Sequence, residues 1–305
     1  MREPPTIPSP GLNPVPARRA PGGSGPGRYW RSKQGLAVVS ALAFFLAIYL
    51  YPLTRLVAWS FFSPSFTLEH YAKLFGEPAY FRAFRNTAEI SLWVTVISLA
   101  LGYPLAYLMA VVSGRVRAFL IVLVLVPFWT SILVRTFAWM VILGKQGLIN
   151  QVLVGWGIVD RPLVLIYNML GVQIGMVHVL LPFMVFPLYS VMVRIDASLV
   201  AAARSLGASP RQAFLRIFLP LSLPGVFAGC ALVFLLAVGF YITPALLGGE
   251  GQITFATLIE LVVRDLLDWN FGASLGVFLL TIVGALFVLF STLLGLDRLT
   301  GHGRV

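Results

Sequence analysis

Residues 196–220 read DASLVAAARSLGASPRQAFLRIFLP, a polar and basic stretch set between two long apolar runs. Its spacing predicts two short helices joined by a tight corner. Gly207 suits the left-handed position that ends the first helix, because a residue without Cβ enters that region without steric cost. Ser209, Pro210 and Gln212 stand as N-cap, first helical residue and capping-box partner of the second. A loop punctuated in this way is folded rather than slack.

What flanks the loop sets the class. Of 305 residues, 59% are hydrophobic and only 11% are charged, and the mean hydropathy is +0.90. That is far more apolar area than a soluble domain of this length can hide. Six runs are candidates to span a bilayer, at roughly 36–54, 90–112, 118–143, 166–192, 221–246 and 272–296. Each has close to the ~20 residues that cover ~30 Å of hydrocarbon at about 1.5 Å per residue. The runs are continuous rather than alternating with a period of two, which favours helices over a barrel. The expected fold class is all-α, a polytopic membrane protein with six transmembrane helices.

Lysine and arginine set the expected orientation. Arg2, Arg18, Arg19, Arg28, Arg31 and Lys33 precede the first run, Arg115 and Arg117 follow the second, and Arg194, Arg204, Arg211 and Arg216 follow the fourth. These gaps belong on the cytoplasmic side, with both termini. Arg55, Lys73, Arg82 and Arg85 dilute the bias in the first outer gap, while the gap after run five carries Glu250, Glu260, Asp265 and Asp268 against Arg264. Residues 1–33 read as a disordered basic cytoplasmic tail, 34–298 as one transmembrane domain and 299–305 as a short cytoplasmic tail. The first run is expected to remain as an anchor, since no small-residue cleavage pattern stands out after it. The net charge of +11 is spread over loops rather than gathered in an aromatic-interleaved stripe, so topology accounts for it better than nucleic acid does.

Catalytic and metal chemistry find little support. Cys230 is the only cysteine, so neither an internal disulfide nor a cysteine metal site is expected. His70, His178 and His302 have no partner at helical spacing; His178 reads as a polar contact inside the helices. Phosphate-binding Gly/Lys loops, nucleophile elbows and HExxH patterns are missing, so any ATP must be handled by another chain.

The segment 201–220, AAARSLGASPRQAFLRIFLP, resembles the cytoplasmic loop of the permease subunits of binding-protein-dependent ABC importers of the MetI-like type, which usually begins EAA and ends Leu-Pro. Ala202, Ala203, Gly207, Ala208, Phe214, Leu219 and Pro220 match the pattern, with Arg204, Ser209 and Pro210 between them, while Ala201 stands where the glutamate is usual. The stretches NTAEISLWVTVISLALGYPLAYLMA, PFWTSILVRTFAWMVILGKQGLINQVL and LIYNMLGVQIGMVHVLLPFMVFPLYS are similar to the spermidine/putrescine branch. The resemblance implies the type I ABC importer permease fold, two ATP-binding subunits that hold ATP and magnesium and dock on the 194–220 loop, a second permease subunit and an external solute-binding protein. The chain itself is then a transport subunit in the bacterial inner membrane, without a catalytic site or bound cofactor. Opine, iron, thiamine and phosphonate permeases share the architecture and remain alternatives for the solute; a secondary transporter or a membrane scaffold is the alternative in class.

Candidate path residues follow from charge and ring chemistry. Arg135 lies inside the third run, where a charge at mid-depth costs roughly 2.5–3.5 kcal/mol on insertion scales unless it snorkels, faces the protein or pairs. Glu89, near the outer end of run two, is a cation-attracting group. Trp129, Trp139, Tyr167, Asn168 and Tyr241 offer ring faces or amide oxygens to a cationic solute, or serve as interfacial aromatics and packed polar groups. Gly102, Tyr103 and Pro104 read as a break in helix two. The segment 143–153 reads as a short helix on the outer surface, which along with the acidic gap is a candidate to receive the solute-binding protein.

Overall fold

The computed structural model describes residues 33–62 and 65–293, so the tails read at 1–33 and 299–305 fall outside them apart from Lys33. The chain falls into two units that divide after Thr54. The described part of the first unit is the leading stretch of α1 (Lys33–Phe61), which tolerates Pro52 in its interior. In the second unit come α2 (Glu69–Gly76), α3 (Pro78–Val111), α4 (Gly114–Leu125), a 3-10 turn at Val126–Trp129, α5 (Ile132–Leu143), α6 (Leu148–Gly155), α7 (Met169–Met192), α8 (Ala197–Ser205) and α9 (Pro210–Ala213). A π turn at Phe214–Phe218 leads into α10 (Leu219–Val238), followed by α11 (Ile242–Leu247), a 3-10 turn at Glu250–Gln252, α12 (Phe255–Arg264) and α13 (Trp269–Leu293). Among the described residues the fold is all-α, and six helical stretches are long and apolar enough to cross a bilayer: Leu36–Phe61, Pro78–Val111, Ile132–Gly155, Met169–Met192, Pro210–Val238 and Trp269–Thr292.

Three of these stretches depart from the sequence expectation. The third does not run unbroken over 118–143. It stops at Leu125 and restarts at Ile132, because Pro127 has no N–H to extend the ladder and the carbonyl of Pro127 is taken by the Thr130 N–H at 3.3 Å and its hydroxyl at 2.9 Å. The apolar stretch instead continues from α5 through a corner at Gly144 into α6, so the segment at 143–153 is an extension of it. Asn150 secures that corner: although polar, it is buried, donating to the carbonyls of Gly144 and Leu163 at 3.0 Å each and accepting from the Leu163 N–H at 2.8 Å.

The second stretch is one helix of 34 residues, and Gly102, Tyr103 and Pro104 do not interrupt it. Packing rather than breakage is what Gly102 serves, since a Cβ there would lie 2.9 Å from Met184 Cγ. The fifth begins earlier than expected: α9, the π turn and α10 are continuous from Pro210 to Val238. Pro220 has no N–H to return to the Arg216 carbonyl. The turn before it widens, so that the Leu219 N–H donates to the Phe214 carbonyl five residues back. At the other end the helix stops at Gly239, and α11 follows as a separate short piece.

The main core is built by α3, α7 and α10. Ile90, Val94, Ala106 and Met109 of α3 meet Val172, Met176, Leu180, Met184 and Leu188 of α7 and Val233 and Ala237 of α10. In a bilayer, helices gain little from hiding apolar surface and associate through close packing, which small residues permit. Gly225 brings α10 near the Leu188 backbone, and a Cβ on Gly229 would sit 2.8 Å from Met184 Sδ. A second cluster joins Leu74, Ala83, Phe255, Leu258, Val262, Phe271 and Leu275. Here Thr87 accepts from the Phe255 N–H at 2.8 Å and donates to the Ala83 carbonyl at 2.8 Å, while Asn86 donates to the carbonyls of Gly251 and Ile253 at 2.9 and 3.1 Å.

Gly102→Val should overpack the α3–α7 contact and cost about 1–3 kcal/mol, lowering the thermal unfolding midpoint of the purified protein. A Cβ at Gly284 meets nothing within 4 Å, so Gly284→Ala should leave the midpoint unchanged or raise it by the ~0.5–1 kcal/mol that alanine gains over glycine in a helix.

Candidate functional site

The loop between α7 and α10 is held by its own backbone. Asp196 caps α8 by accepting from the Ser198 N–H at 2.8 Å, and this bond holds its carboxyl below the ordinary carboxylate range. A depressed carboxyl contributes its cap fully above the ordinary Asp value of about 3.9 and loses it only as the pH falls further. The far end of α8 closes with paired bonds, Gly207 N–H to the Arg204 carbonyl and Ala208 N–H to the Ala203 carbonyl, both at 3.0 Å. This is the Schellman arrangement, with Gly207 at φ +89°. Ser209 and Gln212 then form the capping box, the Ser209 N–H reaching Gln212 Oε1 at 2.9 Å and the Gln212 N–H reaching Ser209 Oγ at 3.3 Å. Pro210 takes the first position of α9.

This scaffold turns apolar groups outward. Leu199, Ala202 and Leu206, spaced to share one face of α8, are all exposed, and Leu206 is 90% exposed at the corner. Ala201, Arg204 and Ser205 are exposed beside them, whereas Ala203 and Ala208 are partly buried. Below α8 lies a cavity of about 410 Å³, lined among others by Tyr107, Met192, Val200, Arg204, Phe214 and Phe218. Phe214 and Leu219 are partly buried and Pro220 is exposed.

The path candidates are not gathered into one site. Glu89 is exposed on α3, and Trp129 at the end of the 3-10 turn is 80% exposed. Arg135 lines a cavity of about 310 Å³ with Phe128, Phe183 and Phe240, and its buried Nε has no hydrogen-bond partner within the described residues. Trp139 lines a different cavity, of about 470 Å³, with Gln173 and His178. Its indole N–H donates to His178 Nδ1 at 3.1 Å, so the neutral ring carries its proton on Nε2. Tyr167, at φ +60°, borders a third cavity with Lys145. Asn168 is occupied as the cap of α7: its Oδ1 accepts from the Gly171 N–H at 2.9 Å and its Nδ2 donates to the Val164 carbonyl at 2.6 Å. Tyr241 is exposed in the break before α11.

The polar contact read for His178 is thus its bond to Trp139, whereas Gln173, Tyr107 and Ser222 do not stand out in the sequence. The spacing of Tyr103 and Tyr107, one helical turn apart, was the available signal for the last group. At Gly207 a Cβ meets nothing within 4 Å, so substitution there acts through φ alone. Gly207→Val should cost about 1–2 kcal/mol locally, seen as faster amide hydrogen exchange across α8 with no change in membrane insertion.

Comparison with known proteins agrees with this architecture. Residues 102–296 match the family described as binding-protein-dependent transport system inner membrane component. The chain is 38% identical over 231 residues to the spermidine/putrescine transport system permease protein PotB of Escherichia coli (strain K12), covering 76% of this chain and 84% of that protein. It is 33% identical to the inner membrane ABC transporter permease protein YdcU of the same organism, over 62% of this chain and 64% of that one. It is 31% identical to the molybdenum transport system permease protein ModB of Mycobacterium bovis, over 64% and 72%. In fold it matches a chain from the crystal structure of a bacterial alginate ABC transporter in complex with its pentasaccharide-bound periplasmic protein, with TM-score 0.72 and 19% identity, over 91% of this chain and 98% of that one. The polar, doubly capped loop, the six apolar helical stretches and these relatives together place the chain in the family of binding-protein-dependent transport system inner membrane components, as a multi-pass permease subunit of an ABC importer.

Proposed function

We propose that this chain forms half of the path for spermidine, putrescine or a related polycation and is driven by a separate ATPase that docks on residues 196–220. The observation that carries the docking assignment is the loop itself, a rigid, doubly capped corner that exposes Leu199, Ala202 and Leu206. Apolar side chains displayed on a polar loop outside the spanning stretches fit a protein partner better than water. ATP and magnesium belong in that partner, where closure on ATP moves the loop and hydrolysis resets it. A second permease subunit supplies the other half of the path. The lysine and arginine content of the loops supports a cytoplasmic position for both termini and the docking corner, with the acidic 250–268 segment and the outer end of the Ile132–Gly155 stretch on the opposite side to receive the solute-binding protein.

The solute class rests on the 38% identity to PotB over 76% of the chain. One observation favours a second reading, an anionic solute: Arg135 borders its cavity with an unpartnered Nε, and a fixed cation attracts an anion and repels an amine.

The test is the assembled complex of both permease subunits, ATPase and binding protein in lipid nanodiscs. Spermidine or putrescine should stimulate ATP hydrolysis over the ligand-free state; stimulation by an oxyanion instead establishes the second reading. Leu206→Asp should weaken ATPase association by about tenfold, or about 1.4 kcal/mol, measured as the ATPase concentration that half-saturates the purified permease pair. Unchanged association removes the loop as the dock.

A further inference from the structure

The second helix of the proposed dock, α9, runs without a break through the π turn at Phe214–Phe218 into the spanning helix α10, and that turn is gripped from the side by α3. Tyr107 sets its ring edge-on to both Phe214 and Phe218, with centroids 5.6 and 5.0 Å away. One turn earlier, Tyr103 is edge-on to Phe214 at 6.3 Å, and its hydroxyl lies 2.8 Å from Ser222 Oγ. Ser222 is fully buried and donates its single hydroxyl proton to the Leu219 carbonyl at 2.8 Å. Tyr103 must therefore be the donor to Ser222, giving a directed chain from the Tyr103 O–H through Ser222 to the backbone just past the π turn.

Wide turns inside helices are places where a helix bends and where function concentrates. Here the weak point lies between the surface that meets the ATPase and the span that lines the path. A helix free to flex at that point would absorb movement of the corner. The aromatic grip holds the turn itself and the hydrogen-bonded chain ties its α10 side to α3, while the cavity beside α8 leaves room for the corner to move.

We infer that Tyr103 is a positioning residue for transport, passing movement of the docking corner across the π turn into α3 through its hydrogen bond to Ser222. The inference rests on the proposed docking of the ATPase at residues 196–220. It predicts that removing one hydroxyl uncouples the helices without loosening the complex, because the Tyr103 ring contacts remain in Tyr103→Phe.

The experiment uses the full complex with its ATPase and needs no solute. Spin labels at Leu92→Cys on α3 and Val141→Cys on α5, both exposed, in a Cys230→Ser background, report the distance distribution without nucleotide and after trapping with ATP and vanadate. The parent complex should shift its distribution on trapping. Tyr103→Phe and Ser222→Ala should each reduce the shifted population ratio by about fivefold or more, with ATPase association and basal hydrolysis retained, and the double variant should do no further harm. Gly102→Val is the control for structural damage, lowering the melting midpoint while keeping the shift. An unchanged shift in Tyr103→Phe, no shift in the parent, or a parallel loss of melting midpoint and association in Tyr103→Phe overturns the inference. Failure of the docking assignment is read separately, from retained ATPase association in Leu206→Asp.

Discussion

Met184 of α7 lies between two missing side chains. A Cβ on Gly102 of α3 would come within 2.9 Å of its Cγ, and one on Gly229 of α10 within 2.8 Å of its Sδ. This double close approach lets three long helices share one layer of core. In a medium as apolar as the side chains themselves, shape and dispersion do the work that water exclusion does elsewhere. A flexible thioether suits the gap, since methionine adapts its shape where branched residues cannot. Polar side chains fix shorter segments next to the long helices: Asn150 at the Gly144 corner, and Asn86 and Thr87 on the 250–255 segment.

The loop at 196–220 follows a different logic. Val200 packs it against the main core beside a cavity, while its shape is held by backbone and capping bonds that the local sequence provides. Each end of α8 and the start of α9 has its free N–H or carbonyl groups taken by a neighbour a few residues away. Such a structure holds its form while its surroundings change. A slack loop in the same place would dissipate displacement as local disorder.

Between the two regions runs the π turn, where the needs of Pro220 and of the aromatic ring contacts coincide. Widening the turn relieves the proline, and it also presents Phe214 and Phe218 to Tyr107. Arg135 sits just after the break at Val126–Ser131, in the first turn of α5. Proline thus determines where the third stretch divides and where the fifth widens, in one case opening a helix end and in the other preserving a continuous rod.

The sequence by itself determined the fold class, the number of spanning stretches and the caps and corner of the 196–213 loop, though not the π turn that carries it into α10. Those features depend on composition and on interactions between residues a few positions apart, which Gly207, Ser209 and Gln212 display in their order. The sequence did not disclose that Gly102 and Pro104 leave α3 unbroken, that Asn150 is buried, that Asn168 is spent as a cap, or that Trp139 meets His178 and Tyr103 meets Ser222. Each depends on which residue another helix brings within a few ångströms, and the 119 positions between Tyr103 and Ser222 carry no local signal of that meeting. Only the tertiary structure decided it, because helix packing in an apolar phase is selected by the fit of whole surfaces rather than by any motif along the chain.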